Sequence, residues 1–356
     1  MSTSLEMQNI QKFYGPLHVV KDFNLHIKPG EFVTFLGPSG SGKTTALKMI
    51  AGFETLTSGD IFLGGQSIVD LPAYERGIGM VFQNYALFPH MTVAENVAFP
   101  LTVRKASRQE AGEKITRALH LVKMDQYKGR YPNQLSGGQQ QRIALARAIV
   151  FNPSILLMDE PLGALDRHLR EHMKIEIMRI QKELNMTVVF VTHDQDEALT
   201  MSDRIAVINE GRLAQVDDSR TLYGKPKNRF VASFVGESNM IPCRVDSVDN
   251  AAGRVTLAGA APGLAQLSGQ SKGDQGWIFI RPENVEISAR SPSSDLPNTL
   301  DGVVESALFL GEMTRYLVRC GEETITVKRQ NRGQPHFAGG TPVTVFWKAE
   351  DCTVLN

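Results

Sequence analysis

The apolar positions of this chain fall into two textures. In the first, unbroken apolar runs end in glycines, acids or a histidine: Phe32-Val33-Thr34-Phe35-Leu36, Ser154-Ile155-Leu156-Leu157-Met158 and Thr187-Val188-Val189-Phe190-Val191. Runs without polar alternation suit parallel strands covered on both faces. Helical stretches follow, Lys43 to Met49 after the first run and Gly163 to Leu184 between the other two. That order predicts βαβ units. From about Pro89 to Val150 strand signals are few. Helices are expected there over Ser107 to Leu121 and Gly137 to Ile149, so the stretch reads as a helical insertion.

The second texture begins after Glu237. Short β-like pieces recur at Gly276–Ile280, Asn284–Ile287, Arg315–Val318, Thr324–Lys328 and Thr341–Trp347. Gly, Pro, Ser and Asn separate them, and Ser288 to Asn298 reads as a loop. The expected architecture is an α/β P-loop NTPase core over residues 1–236, with a mostly parallel sheet and a helical subdomain at about 89–150. A small all-β OB-like barrel follows over 237–356.

Composition narrows the partners. Lys plus Arg and Asp plus Glu number 38 each in 356 residues, so the formal net charge is zero. No chain-wide basic field exists to hold nucleic acid or anionic lipid. No stretch approaches the roughly 18 apolar residues that a spanning helix needs. Met1 to Ile10 carries Glu6 and lacks the basic start and apolar block of a secretory signal. A docked soluble subunit in the cytoplasm is expected. Cys243, Cys320 and Cys352 show no CxxC spacing and read as small buried hydrophobes.

Two segments carry chemistry on their own residues. Gly37-Pro38-Ser39-Gly40-Ser41-Gly42-Lys43-Thr44 fits G-x-x-x-x-G-K-[ST] between a strand and a helix. Its glycines let successive N–H groups face an anion, and the helix start adds partial positive charge. Lys43 would reach the β- and γ-phosphates, and the Thr44 hydroxyl would ligate Mg²⁺. Alone, this cradle predicts a nucleoside triphosphate. In Ile155-Leu156-Leu157-Met158-Asp159-Glu160-Pro161 an apolar strand ends in two acids at the sheet's carboxyl edge. Asp159 would hold Mg²⁺, and Glu160 would act as general base on the attacking water.

A third segment, Leu135-Ser136-Gly137-Gly138-Gln139-Gln140-Gln141-Arg142, resembles the LSGGQ signature of ABC ATPases. Ser136, two glycines and a following helix make a second anion-binding helix start. The resemblance implies ATP and Mg²⁺ as ligands and a head-to-tail dimer. Each ATP would lie between one protomer's Gly37–Thr45 and Leu135–Gln139 of the other. It also implies roles for further residues. Tyr14 resembles the aromatic that stacks on adenine. Gln83 resembles the glutamine that touches Mg²⁺ or the attacking water. His193, in VTHD, resembles the switch histidine on the γ-phosphate. Asp166 resembles the acid of the loop that signals across the dimer. Serine is commoner in the family where Gly163 stands, so no hydroxyl contact is expected from that position.

Three features resemble importers in particular. Asn84 to Val97 is similar to the surface that receives a coupling helix from the membrane subunit, with its aromatics and Met91 exposed. Val191 to Arg204 has the importer form of the switch segment. Phe279-Ile280-Arg281-Pro282-Glu283 with Phe309-Leu310-Gly311-Glu312 resembles the TOBE extension. The implied partners are a second copy, two integral membrane permease subunits and, indirectly, an extracytoplasmic solute-binding protein. The implied location is the cytoplasmic face of the membrane.

The segments Ala51–Glu54 and Tyr74–Met80 look most like spermidine/putrescine importers. Ferric-iron, aminoethylphosphonate, sulfate and sugar importers share much of the pattern. A soluble ABC ATPase acting on nucleic acid is the rival class, disfavoured by the single cradle, the short helical lobe and the lack of a basic tail. A solute-sensing role for the β module is a further alternative.

Overall fold

A computed structural model describes residues 2–249, 252–257, 262–289, 298–333 and 335–356. It divides into two compact units, Met1–Ser219 and Arg220–Asn356.

In the first unit, a twisted sheet is assembled from β3 (Phe32–Leu36), β6 (Ile78–Val81), β7 (Ile155–Asp159), β8 (Thr187–Thr192), β9 (Arg204–Asn209) and β10 (Arg212–Asp217). The spatial order is β10-β9-β3-β8-β7-β6. All neighbours pair in parallel except β10, which runs antiparallel at the edge. β3 and β8 are buried at every position, the burial that their unbroken apolar sequences predict.

The chain also holds a second sheet that the apolar runs did not anticipate. It has the order β2-β1-β4-β5, with β1 (Leu5–Tyr14), β2 (Leu17–Ile27), β4 (Ser58–Leu63) and β5 (Gln66–Ser67) antiparallel. Its alternation is broken by bulges. Asn9 and Asp22 take positive φ, and the β1–β2 register shifts between Met7 and Ile10. Each bulge resets the two-residue period, which hides the strand from a periodicity reading.

The helix α1 (Lys43–Ala51) buries Ala46, Leu47, Met49 and Ile50 between these sheets. Its C-terminal end is closed by a side chain from far along the chain. Arg76, itself buried, donates from Nη1 to Met49 O at 2.8 Å and Ile50 O at 2.9 Å. Its Nε and Nη2 reach Leu71 O and Val69 O. Four carbonyls thus share one guanidinium, which also meets the negative end of the helix dipole.

The helical lobe contains α2 (Val93–Val103), α3 (Arg108–Leu121) and α4 (Gly137–Ile149). Thr92 and Glu95 form a capping box at α2, and Ser107 caps α3. Val93, Val97, Leu119, Ile143 and Leu145 fill the lobe's core. After β7 the chain continues as α5 (Arg167–Leu184), and after β8 as α6 (Gln195–Met201).

The second unit opens with α7 (Ser219–Gly224) at the division and α8 (Arg229–Phe234). Its division from the first unit lies earlier than the expected 236/237. The reason is Arg281, which donates to Tyr223 O, Ala232 O and Glu237 O and so ties the helical segment to the β module. A closed barrel, β11-β12-β13-β20-β14, comprises β11 (Asn239–Asp249), β12 (Ala252–Leu257), β13 (Pro262–Gln266), β14 (Gln275–Ile280) and β20 (Cys352–Leu355).

A sheet in the order β15-β19-β16-β17-β18 adds β15 (Glu286–Ser288), β16 (Asn298–Phe309), β17 (Met313–Cys320), β18 (Glu323–Gln330) and β19 (Pro342–Trp347). Trp347, Ile278, Val327 and Tyr316 are buried among them. Of the expected loop Ser288–Asn298, residues 290–297 lie outside the described residues. Cys243, Cys320 and Cys352 are free and buried, and burial pushes their thiols up to about 11, 11 and 12.

Arg76→Met should leave four carbonyls without their shared donor and cost about 2–4 kcal/mol. The check is the urea midpoint of the first unit's unfolding transition, which should fall.

Candidate active site

Strand register builds the site. Leu36 of β3 pairs with Thr192 of β8, Asp159 of β7 pairs with Val191, and Val81 of β6 pairs with Met158. The four strands therefore end level at their carboxyl edge. The residues just beyond them, Gly37, His193, Glu160 and Gln83, emerge together. This is the edge where open α/β sheets place their ligands.

The cradle is tight. A Cβ at Gly37 would stand 2.3 Å from Ile208 O. Gly42 holds φ +99° at the start of α1, where a Cβ would meet Val19 O at 2.9 Å. Only glycine fits either position. Lys43 is 5% exposed, and its ammonium donates to Gly37 O and Pro38 O, both at 2.8 Å. Burial pulls its pKa down, and the charges of Glu160 and Asp159 pull it back up. Ser41 Oγ is buried in the same loop with no hydrogen-bond partner. A buried ammonium and an orphaned hydroxyl beside a helix start fit the polyphosphate of a nucleotide.

Thr44 Oγ1 donates to Asp159 Oδ1 at 3.1 Å. Two hard oxygens at that separation match the ~3 Å edge of an octahedron built on ~2.1 Å bonds, the geometry Mg²⁺ demands. Burial raises the Asp159 pKa above the usual carboxylate range, and the neighbouring Glu160 adds to this against the Thr44 hydrogen bond.

Glu160 sits at φ +44°. Its N–H donates to Val191 O at 3.0 Å, which holds the chain in this left-handed turn. Such a backbone costs about 1–3 kcal/mol and persists only where the surroundings impose it. Its carboxylate meets two of the expected partners, His193 Nδ1 at 3.1 Å and Gln83 Nε2 at 3.3 Å. Gln83 thus contacts the Glu160 carboxylate directly.

Tyr14 is 43% exposed and lies beside the last cradle residue. Its hydroxyl bonds with Glu54 and Thr45, and burial followed by Glu54 raises its pKa. Lys12 Nζ stands 4.7 Å from its ring centroid and pairs with Glu54 at 3.2 Å.

The signature segment is elsewhere in the unit. Ser136 caps α4 with Gln139 in a capping box. Leu135 is buried in the lobe core. A Cβ at Gly138 would strike Leu169 at 2.7 Å, so this glycine also serves helix packing. Among the described residues no hydrogen bond or ion pair joins Leu135–Gln139 to Gly37–Thr45 or to Glu160. Asp166 caps α5, accepting from Leu169 N at 3.0 Å.

The aromatic surface after Gln83 needs correction. Tyr85 is buried in the lobe core rather than exposed, and Phe88 and Met91 are half-buried. Tyr85 and Ala86 both take positive φ. Arg147 holds that turn by donating to both carbonyls at 2.7 Å. A groove of about 500 Å³ does open beside it, with Phe82 and Phe88 in its wall. Its most exposed apolar groups are Phe53, Tyr74, Phe99 and Val103; Phe53 and Tyr74 lie in the importer-like segments, but none of the four was expected on this surface.

Asp159 generates a prediction with a definite sign. An acid whose folded pKa is raised stabilises fully below its ordinary pKa and loses that contribution as pH rises through the raised value. Once ionised, Asp159 therefore costs stability. Asp159→Asn should raise the melting temperature of the nucleotide-free chain by about 2–4 °C per kcal/mol relieved. It should also remove the gain in ATP affinity that Mg²⁺ gives, read by nucleotide titration with and without the ion.

Comparison with known proteins agrees with this geometry. Residues 20–163 match the ABC transporter family, and residues 278–355 match the TOBE domain. A curated relative from Nitrosomonas eutropha, the "Spermidine/putrescine import ATP-binding protein PotA", is 43% identical over 99% of this chain and 98% of its own. Proteins of the same name from Thermotoga maritima and Roseobacter denitrificans are 40% and 46% identical, over 99% and 92% of this chain and 98% and 90% of theirs. Among solved structures, an ATP-binding cassette in a dimeric post-hydrolysis state bound to ADP and Pi shares 35% identity. It has a TM-score of 0.54 over 61% of this chain and 99% of that one. The chain belongs to the ABC transporter family, as an ATP-hydrolysing import subunit with a C-terminal TOBE domain.

Proposed function

We propose that this chain energises import of a polyamine, spermidine or putrescine, as a head-to-tail pair of identical chains docked on two membrane permease subunits. The observation behind the pairing is the separation within one chain. Lys43, Thr44, Asp159, Glu160, His193 and Gln83 gather at one sheet edge, while among the described residues no hydrogen bond or ion pair joins Ser136–Gly138 to any of them. A second copy supplies the missing helix start to the γ-phosphate.

In the closed pair, Tyr14 stacks on adenine and the Gly37–Thr45 amides with Lys43 hold the phosphates. Thr44 and Asp159 would hold Mg²⁺, which would supply charge to offset that of the phosphates. Glu160 accepts a proton from a water aimed at the γ-phosphorus. The bond from that phosphorus to the bridging oxygen breaks, and ADP and phosphate leave. His193 orients Glu160 and touches the γ-phosphate. Gln83, bonded to Glu160, lies at the entry to the Tyr85–Ala86 turn, so the state of the phosphate reaches the helical lobe. A coupling helix of the permease fits the groove lined by Phe82 and Phe88. Docking of this kind fits the finding that, among the described residues, no helix is long and apolar enough to cross a membrane.

Glu160→Gln removes the base and keeps the cradles. It should lower kcat by about 10²–10⁴-fold while ATP binding survives. On size exclusion it should run as a dimer only with ATP. Hydrolysis at the parental rate would remove Glu160 from this role. Lys43→Ala should instead weaken phosphate binding itself. The solute is tested in vesicles holding the permease pair, where spermidine- or putrescine-loaded binding protein should stimulate the ATPase. Stimulation by ferric iron, aminoethylphosphonate, sulfate or a sugar would replace the solute and leave the hydrolytic reading intact.

A further inference from the structure

One guanidinium bridges two segments that the reaction scheme treats separately. Arg170 lies one turn into α5. Its Nη2 donates back to Leu165 O at 3.1 Å, the carbonyl just before Asp166. Its Nη1 donates to Asp194 Oδ2 at 3.2 Å, the residue just after His193. Its Nε faces Glu197 Oε1 at 3.8 Å. The other oxygen of Glu197 accepts from Thr192 Oγ1 at 2.6 Å, and Thr192 is the residue just before His193. Thr192 Oγ1 in turn accepts from Asp194 N at 3.0 Å.

Asp194 is therefore bonded to Arg170 directly and Thr192 is linked to it through the Glu197 ion pair, while His193 itself is exposed and meets Glu160. The fastening is a built one. Glu197 is 3% exposed and Thr192 2% exposed. A buried carboxylate is tolerated there because a cation and a hydroxyl meet it. Asp194 is doubly employed, since its Oδ1 caps α6 by accepting from Asp196 N and Glu197 N. A planar fork suits two acceptors in two directions beside a carboxylate at ion-pair distance, where a lysine would reach one.

We propose that Arg170 is a positioning residue that couples the Leu165–Asp166 loop to His193. The inference rests on the proposed roles of His193 as γ-phosphate contact and Asp166 as the acid facing the second copy. Movement of that loop when a second copy closes pulls on Arg170, and Arg170 moves the two residues that bracket His193. Arrival of the partner is thereby reported to the hydrolytic centre without any contact between the partner and His193.

The test uses steady-state ATPase of the purified full-length chain, with melting temperature and ATP affinity measured in parallel. Arg170→Met should lower kcat by about tenfold or more, because misplacing a reacting group by an ångström costs that much. The KM for ATP should stay near parental, since the cradle is untouched. Arg170→Lys should recover part of kcat. Asp194→Asn keeps the cap on α6, as Asn caps as well as Asp. It should lower kcat in the same sense, and the double variant should be no worse than Arg170→Met alone.

In a His193→Ala background Arg170→Met should add no further loss. Parental kcat in Arg170→Met overturns the proposal, and so does an equal fold-loss with and without His193. If Arg170→Met does not fold, Asp194→Asn decides, and parental kcat there overturns it. Full activity of His193→Ala would overturn the reading of His193 along with the coupling, whereas the other outcomes overturn the coupling alone.

Discussion

Level strand ends are the constraint on which this molecule depends. β3, β8, β7 and β6 pair in parallel so that Leu36, Thr192, Asp159 and Val81 lie at one edge. Shifting any one of these strands by two residues would carry its functional side chain about 7 Å along the strand. The register is held by burial on both faces, because β3 and β8 have no exposed position to trade. Precise catalytic geometry is thus a by-product of core packing. Arg76 and the two sheets flanking α1 extend the same logic to the cradle, whose helix is closed at its far end by a buried cation.

That framework lets the site hold charges that would otherwise be expelled. Lys43, Asp159 and Glu160 share a small, partly buried volume. Lys43 donates to carbonyls of its own loop, and Asp159 accepts from the Thr44 hydroxyl. Each of these bonds is one that a phosphate or a hard cation can replace. The left-handed backbone at Glu160 belongs to the same economy, since the β7–β8 pairing imposes it through Val191 O. The site is therefore organised, with a left-handed residue at Glu160 and an unpartnered buried hydroxyl at Ser41.

Sequence reading reached the parts of this design that depend on unbroken pattern. β3 ran over Phe32–Leu36 as expected, and α3 and α4 began at the residues that Ser107 and Ser136 cap. The cradle and the acid pair were legible because their spacing is set by local backbone geometry. What stayed hidden depended on distant partners. Bulges at Asn9 and Asp22 masked the antiparallel sheet. Arg281 reaches back to Tyr223 and moves the unit division earlier than composition suggested. The signal for Tyr85 burial lay in Arg147, sixty-odd positions away, which clamps the turn that points the ring inward. No period or motif encodes such long-range side-chain to backbone bonds.

The two glycine-rich segments then differ in a way that bears on assembly. Gly37 and Gly42 are required by backbone oxygens that would collide with a Cβ, so their cradle is complete within one chain. Gly138 lies against the side chain of Leu169, a residue of α5 three places beyond Asp166, 2.7 Å from where its Cβ would stand. Gly137 likewise lies against Leu165, at 3.7 Å from where its Cβ would stand. The signature helix is thus packed on the very segment whose other end is gripped by Arg170. A displacement of the Leu165–Asp166 loop cannot leave α4 where it was, because close packing transmits rather than absorbs such shifts. The Ser136–Gly138 helix start and the Thr192–Asp194 segment consequently both meet the Leu165–Arg170 stretch. On the proposed head-to-tail pairing, donation of that helix start and hydrolysis at the chain's own site would share this stretch.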